Sequence, residues 1–218
     1  MDAPQAGQAE APKFDAAFRK KLVDLFRWRR DVRHFRPDPI SQDLLDHLLD
    51  LANLAPSVGL SQPWRFVTVD DAERRAAVRA DFEICNRLAL SEQSDERGAL
   101  YARLKLAGLD QAPCHLAVFV DPDPEQGHGL GRATMPETLA YSTVMAVHTL
   151  WLAARAAGLG LGWVSIVNPD IIKTILDVPD TWRLVGYFCI GYPAIDHDVP
   201  ELEVTGWESR HPVLRIRR

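Results

Sequence analysis

Residues 26–40 read FRWRRDVRHFRPDPI, and the rest of the chain is organised around this stretch. Five arginines fall within ten positions (27, 29, 30, 33 and 36), although the whole chain carries a net charge of -5. We expect these residues at the end of a helix, where Arg29 and Arg33 share a face and grip a phosphate with two guanidinium forks. A solvated basic patch, balanced by nearby aspartates, is the alternative.

Asp31 lies inside this arginine cluster. A carboxylate weakens a phosphate grip unless it faces another part of the ligand, so we predict a separate chemical role for it. Burial raises the pKa of a carboxyl group and neighbouring arginines lower it. The sequence leaves open which effect dominates at Asp31.

Bulk properties narrow the class of protein. The 218 residues, 47% of them hydrophobic, suffice for one well-cored domain. No apolar run reaches the roughly 18 residues of a membrane span, and no signal pattern opens the chain, so we expect a cytoplasmic protein with no membrane partner. The acidic balance argues against nucleic acid as a partner. Three dispersed cysteines and seven histidines without ligand spacing predict neither a disulfide framework nor a metal site.

Hydrophobic periodicity predicts helix, helix, strand, helices, strand, long helix, strand, short helix, strand and tail, an α+β sandwich rather than a doubly wound sheet. The long helix at 137–157 is apolar nearly all round, which fits either a central helix or a subunit interface. Residues 71–109 read as helices broken near Ser94 and Asp95, either a lid or an ordinary surface pair. The tail beyond Tyr192 should be an extended arm, in which Arg210 either reaches an anion or is solvated.

Three irregular stretches carry glycine or serine. In the loop at 55–63, Pro and Gly residues fix a backbone that presents Ser57 and Ser61. Gly158, Gly160 and Gly162 precede a strand, which is the wrong order for dinucleotide binding and predicts a helix cap followed by close backbone packing, with Ser165 near the strand's end. The run GHGLG at 127–131 imitates a phosphate loop only weakly.

Three segments together resemble the nitroreductase-like flavoprotein family: RRDVR at 29–33, APSVGLSQPW at 55–64 and GLGLGW at 158–163. The resemblance covers residues 14–195. It implies a nitroreductase-like sandwich, with a central, mostly antiparallel sheet flanked by helices, and a homodimer that holds FMN at its interface. Residues 1–13 are then a disordered arm, and residues 196–218 are a C-terminal arm that packs on the partner subunit.

The sequence departs from the family pattern at two places: Asp31 stands in place of Ser, and Leu60-Ser61 stands in place of Asn. With these departures the sequence resembles a branch of the family that consumes its flavin. There, reduced FMN is the substrate, and its oxygen-dependent fragmentation gives erythrose 4-phosphate and 5,6-dimethylbenzimidazole, the lower ligand of vitamin B12. NAD(P)H acts only indirectly, through flavin reduction, and a flavin reductase is a candidate partner. The alternatives are an NAD(P)H-dependent FMN nitroreductase or dehalogenase and a non-catalytic flavin carrier.

The resemblance also implies site residues. Asp31 is expected to handle protons near the flavin as a base or relay, with Ser165 as its hydrogen-bonding helper. The helices around Tyr101 and Leu104 are expected to close over the flavin as a lid. The residues expected to bind FMN are Arg29, Arg30, Asp31, Val32, Arg33, Ser57, Gly59, Ser61, Leu104, Ser165 and Arg210.

Overall fold

A computed structural model describes residues 10–91 and 107–218 of the chain. The expected helix break near Ser94 and the lid residues Tyr101 and Leu104 lie outside these residues, as does most of the N-terminal arm. The helices are α1 Ala16–Trp28, α2 Gln42–Ala52, α3 Ala72–Ser91, α4 Gly108–Gln111, α5 Thr138–Ala156, α6 Pro169–Leu176 and α7 Glu201–Val204. The strands are β1 Trp64–Thr68, β2 Cys114–Val120, β3 Gly160–Val164 and β4 Arg183–Gly191, and a 3-10 turn spans Val58–Leu60.

The four strands form one antiparallel sheet in the order β1-β2-β4-β3. Side chains alternate between its two faces, so Leu116 and Phe188 pack against α2 and α5, whereas Phe119 and Tyr187 pack towards α3 and α6. Every residue of β2 is buried. The expected α+β sandwich, with an antiparallel sheet between helices, is confirmed.

Local signals fix several helix ends. The Ser41 hydroxyl accepts a hydrogen bond from the Leu44 N–H (3.3 Å) and caps α2, as its position before a helical stripe predicts. Gly158 follows α5 with φ +79°, and the next N–H, of Leu159, returns to the Ala154 carbonyl at 2.8 Å. The predicted glycine cap of the long helix is therefore confirmed.

The arginine segment is bound to the edge of the sheet. Asp31 forms an isolated parallel bridge with Leu161, and the Val32 N–H donates to the Leu161 carbonyl at 2.9 Å. A Cβ added at Gly162 would lie 2.2 Å from the Val32 carbonyl oxygen, and one at Gly160 would lie 2.5 Å from a Val32 methyl group. The close backbone packing predicted for these glycines is confirmed, and it positions residues 29–33.

The expected helical relation between Arg29 and Arg33 is wrong. Helix α1 ends at Trp28, and Arg29 already has extended backbone angles, φ -72° and ψ 112°. Pairing with β3 gives the Val32 N–H the Leu161 carbonyl as acceptor, in place of the Trp28 carbonyl of a continued helix, and it also packs Val32 against Gly160 and Gly162. The segment therefore follows the period of two of a strand.

Candidate functional site

Residues 29–33 are extended, so their successive side chains point to opposite sides of the segment. Val32 faces the glycines of β3, whereas Asp31 and Arg33 meet in an ion pair on the other side. The guanidinium of Arg29 lies 5.0 Å from the centre of the Trp151 ring, within cation–π range. Arg29 also acts on the Asp31 carboxyl electrostatically. The structure thus brings Arg29, Asp31 and Arg33 together through strand geometry.

Asp31 is held at both carboxylate oxygens. Its Oδ1 accepts a hydrogen bond from the Trp163 N–H at 2.8 Å, and its Oδ2 lies 3.7 Å from Arg33 Nε. The Asp31 side chain is 38% exposed, but protein atoms surround most of its carboxyl group. This loss of hydration raises the pKa of Asp31 above its ordinary value, and the effect exceeds the lowering by the Trp163 N–H and by Arg33. The question that the sequence leaves open is answered in favour of burial, so Asp31 binds a proton more readily than a free aspartate does.

Arg33 is shared between two carboxylates. Its side chain is only 13% exposed, and its Nε lies 3.7 Å from Asp31 Oδ2 and 3.8 Å from Glu201 Oε2. Glu201 opens α7 in the C-terminal arm, far from Arg33 in sequence. Sequence reasoning missed this residue, although the acidic run DHDVPELE at 196–203 is a signal for a partner of an arginine cluster.

Arg30 turns away from the Asp31 side, towards the arm. Its Nη2 and Nε donate to the Asp198 carbonyl at 2.6 and 3.1 Å. Burial, and then the charge of Arg29, lower the pKa of Arg30. Arg155 of α5 forms an ion pair with Asp196 in the same run. The first part of the arm therefore packs on the arginines of its own chain.

A cavity of about 210 Å³ opens between these groups. It lies where the ends of α1 and α5, the arginine segment and the arm meet, and its lining includes Trp28, Asp31, Arg33, Trp151, His197 and Glu201. Pockets that enclose a whole drug-sized ligand measure roughly 300–1,000 Å³. The cavity is thus smaller than a pocket that encloses a whole ligand of that size.

The serine-bearing loop lies elsewhere in the chain. Ser142 of α5 accepts a hydrogen bond from the Val58 N–H at 3.0 Å, which ties the loop to the first turns of that helix. Trp151, next to the arginines, lies nine residues further along α5, about 13 Å at the usual helical rise. The loop and the arginine segment are therefore attached to α5 at points about 13 Å apart.

Within the loop, the predicted site residues have different environments. Ser57 Oγ accepts the Gln62 N–H at 3.1 Å and so stabilises the turn, which is the ordinary role of a loop serine. Ser61 is 5% exposed, and its Oγ is buried without a hydrogen-bond partner. Unpaired buried hydroxyls are rare because they cost free energy. Ser61 is therefore a candidate for contact with a ligand.

The glycine run at 127–131 supports this loop. A Cβ at Gly59 would lie 2.8 Å from the Leu130 carbonyl oxygen, and one at Gly127 would lie 2.8 Å from the Gly59 carbonyl oxygen. Both glycines have positive φ, +56° and +86°. The glycine run at 127–131, whose sequence imitates a phosphate loop, therefore fixes the backbone of the loop at 55–63.

The remaining predicted site residues are Ser165, Arg210 and Leu104. Ser165 is exposed just beyond β3, two residues after Trp163, and forms no hydrogen bond with Asp31. Arg210 Nε donates to Glu203 Oε2 at 2.8 Å, and its charge acts on Arg30. Leu104 lies outside the described residues. The roles of these three residues stay predictions.

Neither a cluster of metal ligands nor a membrane-spanning helix is found in the part of the chain that the structure describes. Within residues 10–91 and 107–218, no group of three or more His, Cys, Asp or Glu side chains is arranged to hold a metal ion. Among the helices in that part of the chain, none combines the length and the apolar character needed to cross a bilayer.

Comparison with known proteins identifies relatives over nearly the whole chain. The nitroreductase family model matches residues 26–192. A 5,6-dimethylbenzimidazole synthase of Rhodospirillum rubrum is 59% identical over 94% of this chain and 98% of its own length. Another protein of that name, from Rhodobacter capsulatus, is 49% identical over 94% of this chain and 99% of its own length.

Solved structures share the fold at lower identity. An oxidized iodotyrosine deiodinase bound to FMN and 3-iodo-L-tyrosine superposes with a TM-score of 0.69, at 23% identity, over 90% of this chain and 97% of its own. A nitroreductase with bound FMN from Desulfitobacterium hafniense DCB-2 has a TM-score of 0.62, at 19% identity, over 80% of this chain and 90% of its own. Both likenesses support the fold described above.

Proposed function

The chain is an enzyme of the nitroreductase family, and from that membership we propose that it fragments reduced FMN with molecular oxygen. The reaction gives 5,6-dimethylbenzimidazole and erythrose 4-phosphate, and the pyrimidine ring of the flavin leaves as a third product that carries the remaining oxygen atoms. This step supplies the lower ligand of vitamin B12 (cobalamin). The observation that carries the proposal is the 59% identity, over 98% of its length, with the relative named 5,6-dimethylbenzimidazole synthase. We also propose that the enzyme acts in the cytoplasm, that NAD(P)H contributes only through flavin reduction, and that a flavin reductase supplies the substrate.

The residues of the site fit FMN. Arg29 and Arg33 provide two guanidinium groups for a phosphate, and guanidinium binds that dianion with paired hydrogen bonds. The buried Ser61 hydroxyl needs a hydrogen-bond partner, which a ribityl hydroxyl or a ring heteroatom supplies. Reduced FMN supplies the electrons and the carbon skeleton of the reaction, and the protein's residues supply binding, orientation and proton transfer.

Asp31 is the proposed proton-transfer residue. Its raised pKa lets the same carboxyl accept a proton and return it. The hydrogen bond from the Trp163 N–H fixes the carboxyl beside the arginines, so a bound phosphate orients the rest of the ligand relative to it. Ser165 follows Trp163 on the same edge and is proposed to hydrogen-bond the group with which Asp31 exchanges its proton.

Two copies of the chain are proposed to form each site. The loop with Ser61 and the segment with Arg29 are attached to different parts of α5, and we propose that a homodimer sets the loop of one chain and the segment of the other around one FMN. Apolar side chains on the outside of α5, Tyr141, Val144 and Met145, are exposed and offer a surface for the second copy. Beyond α7, the arm exposes Val213, Leu214 and Ile216, which we propose pack on the partner.

The test is to incubate the purified protein with FMN that is kept reduced in air, and to analyse the small molecules by chromatography and mass spectrometry. We expect loss of the flavin and equal amounts of dimethylbenzimidazole and erythrose 4-phosphate. Intact FMN, with only peroxide formed, would contradict the proposal. Nitroaromatic and halogenated substrates with NAD(P)H would then distinguish a nitroreductase or dehalogenase from a flavin carrier, which turns over neither.

A further inference from the structure

Arg33 and Glu201 connect the proposed proton-transfer residue to the C-terminal arm. Arg33 is nearly buried, and its Nε lies almost equally far from Asp31 Oδ2 (3.7 Å) and from Glu201 Oε2 (3.8 Å). The side chain of Glu201 is 30% exposed, so water screens its charge only in part. The positive charge of Arg33 is therefore shared between two carboxylates, those of Asp31 and Glu201, in a part of the structure that water reaches only partly.

The arm holds Glu201 in this position through its neighbours. The Asp198 carbonyl accepts two hydrogen bonds from Arg30, and Asp196 pairs with Arg155 of α5. These contacts fix the residues just before α7 against the body of the domain. The Glu201 carboxylate is thus presented to Arg33 by several independent contacts.

We propose that Glu201 is a positioning residue for Asp31: by holding Arg33 between two carboxylates, it prevents Arg33 from pairing with Asp31 alone, and Asp31 keeps its capacity to accept and return a proton. The catalytic consequence rests on the proposed function, but the electrostatic link does not. If Glu201 were absent, Arg33 would have one carboxylate to pair with, and the ionised form of Asp31 would gain stability. Glu201 also opposes that ionised form directly, as a like charge.

Other groups near Asp31 also influence whether its carboxyl group is protonated or ionised. On its own segment, Arg29 and Arg33 favour the carboxylate, and from β3 the Trp163 N–H does the same. From β4, the thiol of Cys189 is close enough for Asp31 to act on it electrostatically, but burial raises the pKa of Cys189 and keeps this thiol neutral at physiological pH. Among the described residues that act on Asp31, Glu201 is the carboxylate that opposes ionisation.

The test is a titration of Asp31 in the full chain without flavin. The protein is labelled with ¹³C at the aspartate carboxyl carbons, and the Asp31 signal is the one missing from the spectrum of Asp31→Asn. We expect the Asp31 midpoint to move to lower pH in Glu201→Gln and to stay near its original value in Glu201→Asp, which keeps the charge. Glu208→Gln is the matched control, because it removes the same charge from an exposed side chain that, among the described residues, accepts a hydrogen bond from the adjacent Ser209 N–H.

An unchanged or higher Asp31 midpoint in Glu201→Gln would overturn the inference, as would an equal shift in the control. A purely structural role for Glu201 would lower the melting temperature and leave the midpoint in place. In the enzyme assay, the limb of the pH–rate profile that reports Asp31 should move to lower pH by the same amount. If the parent protein forms no dimethylbenzimidazole, the proposed function fails, while the titration still decides whether Glu201 acts on Asp31.

Discussion

Asp31 combines a raised pKa with a place among arginines, and this combination makes its removal informative. We expect Asp31→Asn to lose product formation by about a hundredfold or more, in line with the loss of a general acid–base group. FMN binding should be kept or strengthened, because a negative charge leaves an anion site. Product would be followed by chromatography, and FMN binding by quenching of its fluorescence.

The control for this change is Asp43→Asn on the exposed first turn of α2, which should alter neither quantity. Product formation at the parent's rate in Asp31→Asn would remove Asp31 from the mechanism. Equal loss of FMN binding and product would instead make it a binding residue.

The same substitution has a consequence for stability. The pKa of Asp31 is higher in the folded protein than in the unfolded chain, so Asp31 contributes most favourably to the free energy of unfolding at pH values below its pKa in the unfolded chain. This contribution is lost as the pH rises through the pKa of Asp31 in the folded protein. Asp31→Asn should therefore stabilise the protein at pH 7, and this gain should vanish at acidic pH. The side chain is 38% exposed, so screening limits the effect to about 1 kcal/mol or less, measurable by urea unfolding.

His115 should have the opposite pH dependence. It is buried in β2, its Nδ1 lies 2.9 Å from the Tyr187 hydroxyl, and burial lowers its pKa from 6.5 to about 4. The unfolded chain binds the proton first, so stability should fall as the pH drops from about 6.5 to about 4, by on the order of 2–3 kcal/mol. Urea unfolding at a series of pH values would measure this loss.

Glutamine at position 115 keeps a hydrogen-bonding group for Tyr187 but does not titrate. His115→Gln should therefore remove most of the acid-dependent loss while lowering stability at neutral pH. If the variant loses stability with acid as steeply as the parent, another group is responsible.

At the scale of elements, the glycines of β3 set the position of the arginine segment. Gly162→Ala would put a Cβ 2.2 Å from the Val32 carbonyl oxygen, so the segment has to move off the sheet. We expect a loss of about 1–3 kcal/mol in stability and about tenfold or more in FMN affinity. Thermal unfolding and FMN titration would measure the two effects.

Gly158→Ala is the matched control for this prediction. A Cβ at Gly158 meets nothing within 4 Å, but its φ of +79° costs a side chain about 1–2 kcal/mol. Stability should therefore fall in both variants, and FMN affinity only in Gly162→Ala. Equal affinity in the two variants would mean that the position of the arginine segment does not matter for binding.

The elements themselves were predictable because their signals are local. The stripe of α2 with its Ser41 cap, and Gly158 after α5, are read within a few neighbouring residues. The extended course of residues 29–33 was not predictable in the same way. It depends on a strand more than a hundred residues away, and the glycines of that strand at positions 160 and 162 become meaningful only when Val32 lies against them.

The contacts between the site residues were less predictable from the sequence than the identity of those residues. Resemblance to a family indicates Arg33 and Asp31, but the pairing of Arg33 with Glu201 joins residues 168 positions apart. The acidic run of the arm signals a basic partner without saying which one. Likewise, nothing local reveals that the Ser61 hydroxyl is buried without a partner.

At the scale of the whole molecule, the separation of the loop from the arginine segment predicts sites that two chains share. Mixing inactive Asp31→Asn chains with inactive Ser61→Leu chains should restore activity, because a mixed dimer contains one site with both residues intact. Random exchange would restore about a quarter of the sites. The measurement is product formation after co-refolding or co-expression.

Chains carrying both substitutions provide the control, since mixing them with Asp31→Asn chains leaves no intact Asp31. No recovery in the first mixture, although mass spectrometry detects mixed dimers, would show that each chain forms its site alone. The fraction of activity that is recovered also tests how many chains share their sites. Assemblies larger than a dimer, with other contacts between chains, would recover a different fraction of the activity.

The interlocked loops at 57–61 and 127–131 limit how the protein can diverge. Gly59 and Gly127 each leave no room for a side chain because the other loop's backbone is too near, so a change at one position fails unless the other loop changes as well. Relatives should therefore show paired substitutions or insertions in these two loops, and single ones should be rare. We therefore expect the loop that carries Ser61 and the loop at 127–131 to diverge together.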